Sequence, residues 1–521
     1  MRSRSSSRTA TPQPPVKATP LPKKELLALL FVLVNESVSA TLLFPFIGFY
    51  VAHLLNVTKE RAGYTSGILL SVFMVGQFLS GKTWGRLSDV YGRRPIMLFS
   101  LFMSGVVMLV FGLSPNFYFA MGMRLIHGLT NGNVGIAKAV IAELTDKTND
   151  SKGFALISFA YGIGNLIGPF LGGLLYDPAN SQPLSSWNIQ PDSVLGRYPA
   201  LLPCIASSVY TFVAFAISCK TLPETNKKAI PINLMGFMRF GNPRLPSASP
   251  SAVSSPTMTG DNLDLSSAKK KSKFGYKEVY GDEKMRTSTL MYVVLCGASF
   301  ALNEIFPLWA IASREHGGMA LSAATVGYIN LAGGIAIVLC NVSFPVALQL
   351  WGGHRLSFWQ WCCLECAVLV FAIPLAADMF TKSNAIIVIV ALQMVRVAFE
   401  SWSFVSVFLF IGASAPRDNL GAVNSIAQSS GCVARAIVPL LITPLFALSI
   451  NYPIPSIGFN YYTTFVLTSL MLVAGYYLST KVKADFSHAE ATLNEKEDAT
   501  MDECFRNEEE VSVKGSGLVV I

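Results

Sequence analysis

The 521-residue chain is 52% hydrophobic and only 14% charged, with a formal net charge of +9. Charge this scarce cannot cover a water-facing surface, since about a quarter of the residues of a soluble domain are charged. Apolar runs of about 20 residues, enough to cross a bilayer core as helix, recur along the whole length. Barrel strands would be half as long and alternate polar with apolar residues, so an all-α membrane protein is expected.

The chain opens on a basic, Ser- and Pro-rich arm at 1–24 that runs straight into a full-length apolar span, which argues for an anchor rather than a cleavable signal peptide. Six spans are expected at roughly 25–50, 61–83, 95–114, 116–143, 152–176 and 198–219. Six more are expected at roughly 288–312, 322–348, 355–379, 383–412, 420–449 and 459–480, giving twelve transmembrane helices. The organisation expected is therefore an arm (1–24), a six-helix bundle (25–220), a cytoplasmic linker (221–286), a second six-helix bundle (287–482) and a cytoplasmic tail (483–521). Arm, linker (PRLPSASPSAVSSPTMTG, then AKKKSKFGYK) and tail are too poor in apolar residues to fold alone.

Basic residues concentrate in the arm, around Arg86 to Arg94 and in the linker, whereas loops near 56–60, 177–197, 313–320 and 450–458 carry few. The positive-inside rule then places both termini in the cytoplasm, and the host membrane is expected to be the plasma or the vacuolar membrane. The basicity reports topology and does not imply a nucleic-acid partner. Eight of the nine cysteines lie in spans, so no disulfide framework is expected. Cys363 and Cys366, flanking Glu365, read as packing residues rather than ligands of a soft metal. No nucleotide-binding motif occurs, and neither a metal, a cofactor nor an enzymatic activity is expected. Asn56-Val57-Thr58 is a glycosylation sequon close to the membrane.

The second half repeats the first. Arg124 in MGMRLIHGL falls on Arg396 in LQMVRVAFE, Pro169 in NLIGPFLGGLL on Pro439 in RAIVPLLITPL, and Pro45 in LLFPFIGFY on Pro307 in NEIFPLWAI. Duplicated six-helix halves with a site between them near mid-membrane are the architecture of a secondary transporter. Its expected partners are a small-molecule substrate, protons and the lipid bilayer, with the chain acting as a monomer.

Between spans two and three, GKTWGRLSDVYGRRP (81–95) resembles the loop motif of the major facilitator superfamily, with Gly81, Gly85, Asp89, Gly92, Arg93 and Arg94 in place. Read physically, Gly85 lets two spans approach, Gly92 makes a tight turn, and Arg93 and Arg94 hold the loop in the cytoplasm. Asp89 sits at a helix N-terminus or pairs with a loop Arg, as a contact that breaks when the halves rock. The matching loop in the second half, LQLWGGHRL, has Leu350 in place of the Asp. LPET (222–225) and the Arg124, Gly128, Gly132 spacing are also similar to the superfamily, and the resemblance covers about 25–480.

Within it, NFYFAMGMRLIHGLTNGNVGIAKAVIAELTD and GAVNSIAQSSGCVARAIVPL resemble the twelve-span drug/proton antiporters of fungi and plants, including the zinc-induced facilitators. In span five, Gly164, Gly168, Pro169, Gly172 and Gly173 (GIGNLIGPFLGG) match a motif that the resemblance associates with antiport. Small residues let membrane helices pack backbone to backbone, and the stretch is expected to form a bend and a contact face between the halves. Span eleven keeps Pro439 but has Val438, Ile442 and Thr443 where span five has glycines.

Charges inside a bilayer cost about 2.5–3.5 kcal/mol each on insertion scales, so each needs a partner or a purpose. By resemblance, Glu36 of span one and Arg124 of span four face the central cavity and take part in proton coupling. Arg396 and Glu400 are spaced to satisfy each other on one helix. Glu304 is a second proton site or a contact for a cationic substrate, and Arg435 either pairs with Glu304 or Glu400 or binds an anionic group. Lys138 and Glu143, near the cytoplasmic end of span four, are placed where they can snorkel, the reading preferred for Glu143. Together these residues point to a proton-coupled antiporter exporting or sequestering a small organic solute. A proton-symporting or uncoupled nutrient carrier is the first alternative, and a receptor-like protein without transport the second.

Overall fold

The computed structural model describes residues 22–145, 150–181, 184–187, 189–190, 192–226, 229, 275–416, 420–454, 456 and 458–481. Most of the expected arm and linker, and the whole expected tail, lie outside them. The first half comprises α1 (Lys23–Thr41), α2 (Ile47–Leu55), α3 (Lys59–Tyr91), α4 (Arg93–Gly112), α5 (Phe117–Thr130), α6 (Asn133–Leu144), α7 (Asp150–Leu175), α8 (Val194–Arg197) and α9 (Leu201–Thr221). The second comprises α10 (Tyr276–Gly281), α11 (Glu283–Ile311), α12 (Ala323–Leu350), α13 (Arg355–Met379), α14 (Lys382–Ser414), α15 (Leu420–Asn451) and α16 (Tyr462–Thr480).

Nine of these, α3, α4, α9 and α11 to α16, contain stretches long and apolar enough to cross a bilayer. The three other expected spans map onto α1–α2, α5–α6 and α7. Large apolar side chains on their outer faces stay uncovered, as Val342 (75% exposed) and Leu339 (63%) do on α12, which suits hydrocarbon as the surrounding solvent. Chain turns are set by local polar chemistry: Asn116, Asp282 and Ser322 each accept a hydrogen bond from the backbone N–H three residues on, capping α5, α11 and α12.

Two expected spans are broken. The first is interrupted at 42–46, where Pro45 cannot donate a backbone hydrogen bond and the chain tightens through Phe44 N–H to Thr41 O and Phe46 N–H to Leu43 O. The fourth is interrupted at Asn131 and Gly132, between α5 and α6. The second span is longer than expected: α3 continues through most of the 81–95 motif to Tyr91, so only Gly92 forms the turn.

The buried apolar side chains form separate clusters. One is built from the second half, around Trp309, Trp359 and Phe465. Two others lie mainly in the first half, one around Val32, Met97 and Ile136 and one around Phe46, Tyr50 and Phe111. Between the halves the contact is a seam of small residues. A Cβ added to Gly63 would stand 3.1 Å from that of Ala447, and one added to Gly67 would run into the Pro439 carbonyl and the Thr443 hydroxyl. On the other flank Gly173 abuts the Ala323 carbonyl and Gly327, and Gly334 abuts Leu166. Glu60, at the start of α3, joins the halves by accepting from Ser313 N–H at 3.2 Å, while its carbonyl accepts from Asn451 Nδ2 at 3.1 Å. This end of the bundle is called distal here, and the end carrying the 81–95 motif proximal.

Candidate functional site

Below the seam, a cavity of about 330 Å³ lies between the halves. From the first half it is lined by Glu36 (α1), Gln77 (α3), Lys138 (α6), and Tyr161 and Asn165 (α7). The second half contributes Tyr292 and Asn303 (α11), Gln393, Arg396 and Glu400 (α14), and Arg435 (α15). Phe44, Phe300, Phe404 and Phe408 supply apolar walls. A concave site with apolar walls and a few convergent polar groups is the usual form of a small-molecule site.

Glu36 is 3% exposed and one of its carboxylate oxygens, Oε1, has no hydrogen-bond partner. Asn131 and Asn133, at the α5–α6 break, are the side chains facing it. Arg396 and Glu400 pair as their spacing predicts, and Arg396 Nε also donates to Gln393 Oε1 at 2.7 Å.

Arg124 and Glu304 lie elsewhere than expected. Neither lines the cavity; both are enclosed, with Arg124 1% and Glu304 0% exposed. Arg124 donates through Nε to Leu69 O (3.4 Å) and through Nη1 to Ser39 O (3.5 Å), with its guanidinium 4.4 Å from the Phe73 ring centre. Glu304 has both carboxylate oxygens unpartnered, and the charge acting on it is that of Arg124. Arg124 therefore forms an ion pair with neither Glu304 nor Glu36 among the described residues, although its charge reaches Glu304 of the other half. Arg435 pairs with neither Glu304 nor Glu400. Its nearest groups are Cys432 Sγ (3.0 Å), Tyr292 Oη (3.5 Å) and Cys296 Sγ (3.7 Å).

The 81–95 motif forms a network inside the first half. Asp89 pairs with Arg93 at 2.6 Å, and Arg93 also reaches Glu143 at 3.0 Å. The backbone N–H groups of Arg93 and Arg94 both donate to the Glu224 carboxylate (2.9 and 3.1 Å), which caps α4 where the helix dipole favours an anion. Gly92 has φ +104°, a conformation that side chains resist. Glu143, exposed at the proximal end, is a partner of Arg93. The expected close approach at Gly85 is absent: a Cβ at Gly81 or Gly85 would meet nothing. Glu224 lies in the LPET stretch, whose likeness to the superfamily did not by itself indicate this capping.

The span-five glycines also pack differently from expectation. Gly164, Gly168 and Gly172 press on α1 and the turn after it, at Ser37, at Val38 and Thr41, and at the Leu42 carbonyl, all within the first half. Gly173 and, at the other end of the stretch, Gly162 meet the other half, at Ala323 and Gly327 and at Ile337 and Asn341 respectively. Pro169 lines the cavity, and its carbonyl contacts Gly327. Cys363 and Cys366 are packed in the second-half core. The distal contact at Glu60 had no sequence signal, since a charged residue opening a span looks like any solvated end.

The sequence profile of the Major Facilitator Superfamily matches residues 29–439. The chain belongs to the major facilitator superfamily. Among its relatives is Protein ZINC INDUCED FACILITATOR-LIKE 1 of Arabidopsis thaliana, 27% identical over 431 residues, covering 82% of this chain and 84% of that protein. Another is the major facilitator superfamily multidrug transporter mfsB of Aspergillus fumigatus, 23% identical over 484 residues, covering 81% and 78%. The crystal structure of a D-xylose-proton symporter superposes with a TM-score of 0.60 at 14% identity, covering 88% of this chain and 96% of that one, and so shares the fold. This major facilitator protein is accordingly a multi-pass integral membrane transporter and not an enzyme. The receptor-like alternative finds no support among these relatives.

Proposed function

We propose that this chain is a proton-coupled antiporter that exports or sequesters a small organic solute by alternating access, with both termini in the cytoplasm. The observation that carries the reading is one cavity shared by two separately packed halves, sealed distally by the small-residue seam, with the Glu36 carboxyl buried in its wall and short of hydrogen-bond partners. The two halves rock as six-helix bundles about the seam, exposing the cavity to one side and then the other. A buried carboxyl that gains or loses its proton as its surroundings change can tie that rocking to proton flow. Glu304, buried in the second half with both carboxylate oxygens unpartnered, is a second group of the same kind. The network at Asp89, Arg93, Glu143 and Glu224 braces the first half proximally. Sequence likeness to a protein named as a multidrug transporter supports an organic solute.

Transport by the purified full chain in liposomes, across a panel of amphipathic fluorescent compounds, tests this reading. Movement should quicken when protons flow the opposite way. Glu36→Gln keeps the shape and loses the titratable proton, so its rate should fall to that seen without a gradient while substrate binding persists. A Glu36→Gln protein that responds to the gradient like wild type would remove Glu36 from the coupling, and a wild type indifferent to the gradient would end the antiport reading.

A further inference from the structure

The cavity holds more charge than its visible pairings consume. Arg396 is neutralised by Glu400, and Glu36 is enclosed and turned towards Asn131 and Asn133. That leaves Lys138 on α6 and Arg435 on α15, each half-buried, each lining the cavity, and neither in an ion pair with a described residue. They line the same cavity from opposite halves, together with Tyr161 of α7.

Arg435 is held by weak acceptors. Thiol sulfurs and a phenol accept poorly, so Cys432, Cys296 and Tyr292 orient the guanidinium without cancelling its charge. The Phe300 ring centre lies 5.6 Å from it, adding a cation–π contact. Two like charges lining one cavity become costly as water leaves it, unless an anion enters. The wall around them, Phe300, Phe404 and Phe408, suits an apolar body.

Resting on the transport reading above, we propose that Lys138 and Arg435, one from each half, together bind the acidic group of an amphipathic organic anion, and that this anion lets the halves close over the cavity. Proximal closure narrows the space between two positive charges while expelling water. Empty, that movement is opposed by their repulsion, which strengthens as the local dielectric falls. With a carboxylate or sulfonate between them the same movement gains two charge-assisted contacts. A ligand shifts such an equilibrium only by binding one state better than the other, and a clamp divided between the halves does this by construction. The empty carrier therefore resists switching.

The test uses the purified full chain and four probes sharing one ring system: naphthoate, naphthalenesulfonate, naphthamide and naphthylmethylammonium. Affinity is read from thermal stabilisation in detergent. The two acids are expected to bind, and the amide and the ammonium to bind far more weakly. Lys138→Gln and Arg435→Gln should each weaken the acids about ten- to a hundred-fold, the usual loss for one charged hydrogen-bond partner. Lys138→Arg should keep acid binding, which separates lost charge from a damaged fold. An amide or ammonium that binds as well as the acids, no binding by any of the four, or unchanged acid affinity in the double variant K138Q/R435Q would overturn the clamp. Liposome transport of the ammonium in preference to the acids would overturn it too while leaving the transporter reading intact. Acids that bind as described but are never moved would count against transport and not against the clamp.

Discussion

Gly67→Leu is expected to stop transport while leaving the protein folded and inserted, whereas Gly168→Leu is expected to lower stability. The difference lies in what each glycine faces. Gly67 meets Pro439 and Thr443 of the other half across the distal seam, and Gly168 meets Val38 and Thr41 of its own half. Overpacking costs about 1–3 kcal/mol. At Gly67 the burden falls only on the distally sealed state, which should lose about ten- to a hundred-fold in population. At Gly168 the same burden falls on every folded state, because α1 and α7 stay packed whichever way the halves rock. Transport per folded molecule, measured with the thermal unfolding midpoint, separates the two. Normal transport by Gly67→Leu, or a Gly168→Leu protein of wild-type stability that fails to transport, would contradict this assignment.

Glu400→Ala should destabilise the second half strongly. The Arg396 and Glu400 side chains are 7% and 13% exposed, and removing the carboxylate leaves a guanidinium with only the Gln393 amide for company. Breaking one side of a buried pair costs about 3–5 kcal/mol, mostly through the stranded charge. Replacing both residues, as Arg396→Met with Glu400→Leu, should recover much of the loss because nothing charged is then left behind. Thermal unfolding of Arg396→Met, Glu400→Leu and the double completes the cycle. A Glu400→Ala protein as stable as wild type would show that water or lipid headgroups already satisfy Arg396.

Hydrophobic runs and turn chemistry made the helices legible in the sequence, because a bilayer tolerates little else. The i, i+4 spacing made the Arg396–Glu400 pair legible for the same local reason. What depends on which helix stands beside which was not. The glycines of GIGNLIGPFLGG announced close packing, yet spacing alone does not say whether the neighbour is α1 or α12. Likewise Glu36 and Arg124 both advertised buried charge, but the break after Thr130 brings Asn131 and Asn133 to Glu36, and the charge of Arg124 reaches Glu304 of the opposite half. The motif at 81–95 signalled its own ion pair, while its partners Glu143 and Glu224 come from distant stretches whose spacing gave no sign of the contact.

Reversible cross-linking of the distal seam tests the rocking of the halves most directly. Gly63→Cys with Ala447→Cys places two thiols on facing helices where the added Cβ stands 3.1 Å from its partner, within a small adjustment of the Cβ separation of about 3.5–4.5 Å that a disulfide requires. Oxidation of the reconstituted double variant should abolish transport, a reductant should restore it, and each single variant and the wild type treated alongside should be unaffected. Transport at the wild-type rate by the fully cross-linked protein would mean that the seam need never open, and would contradict alternating access about it.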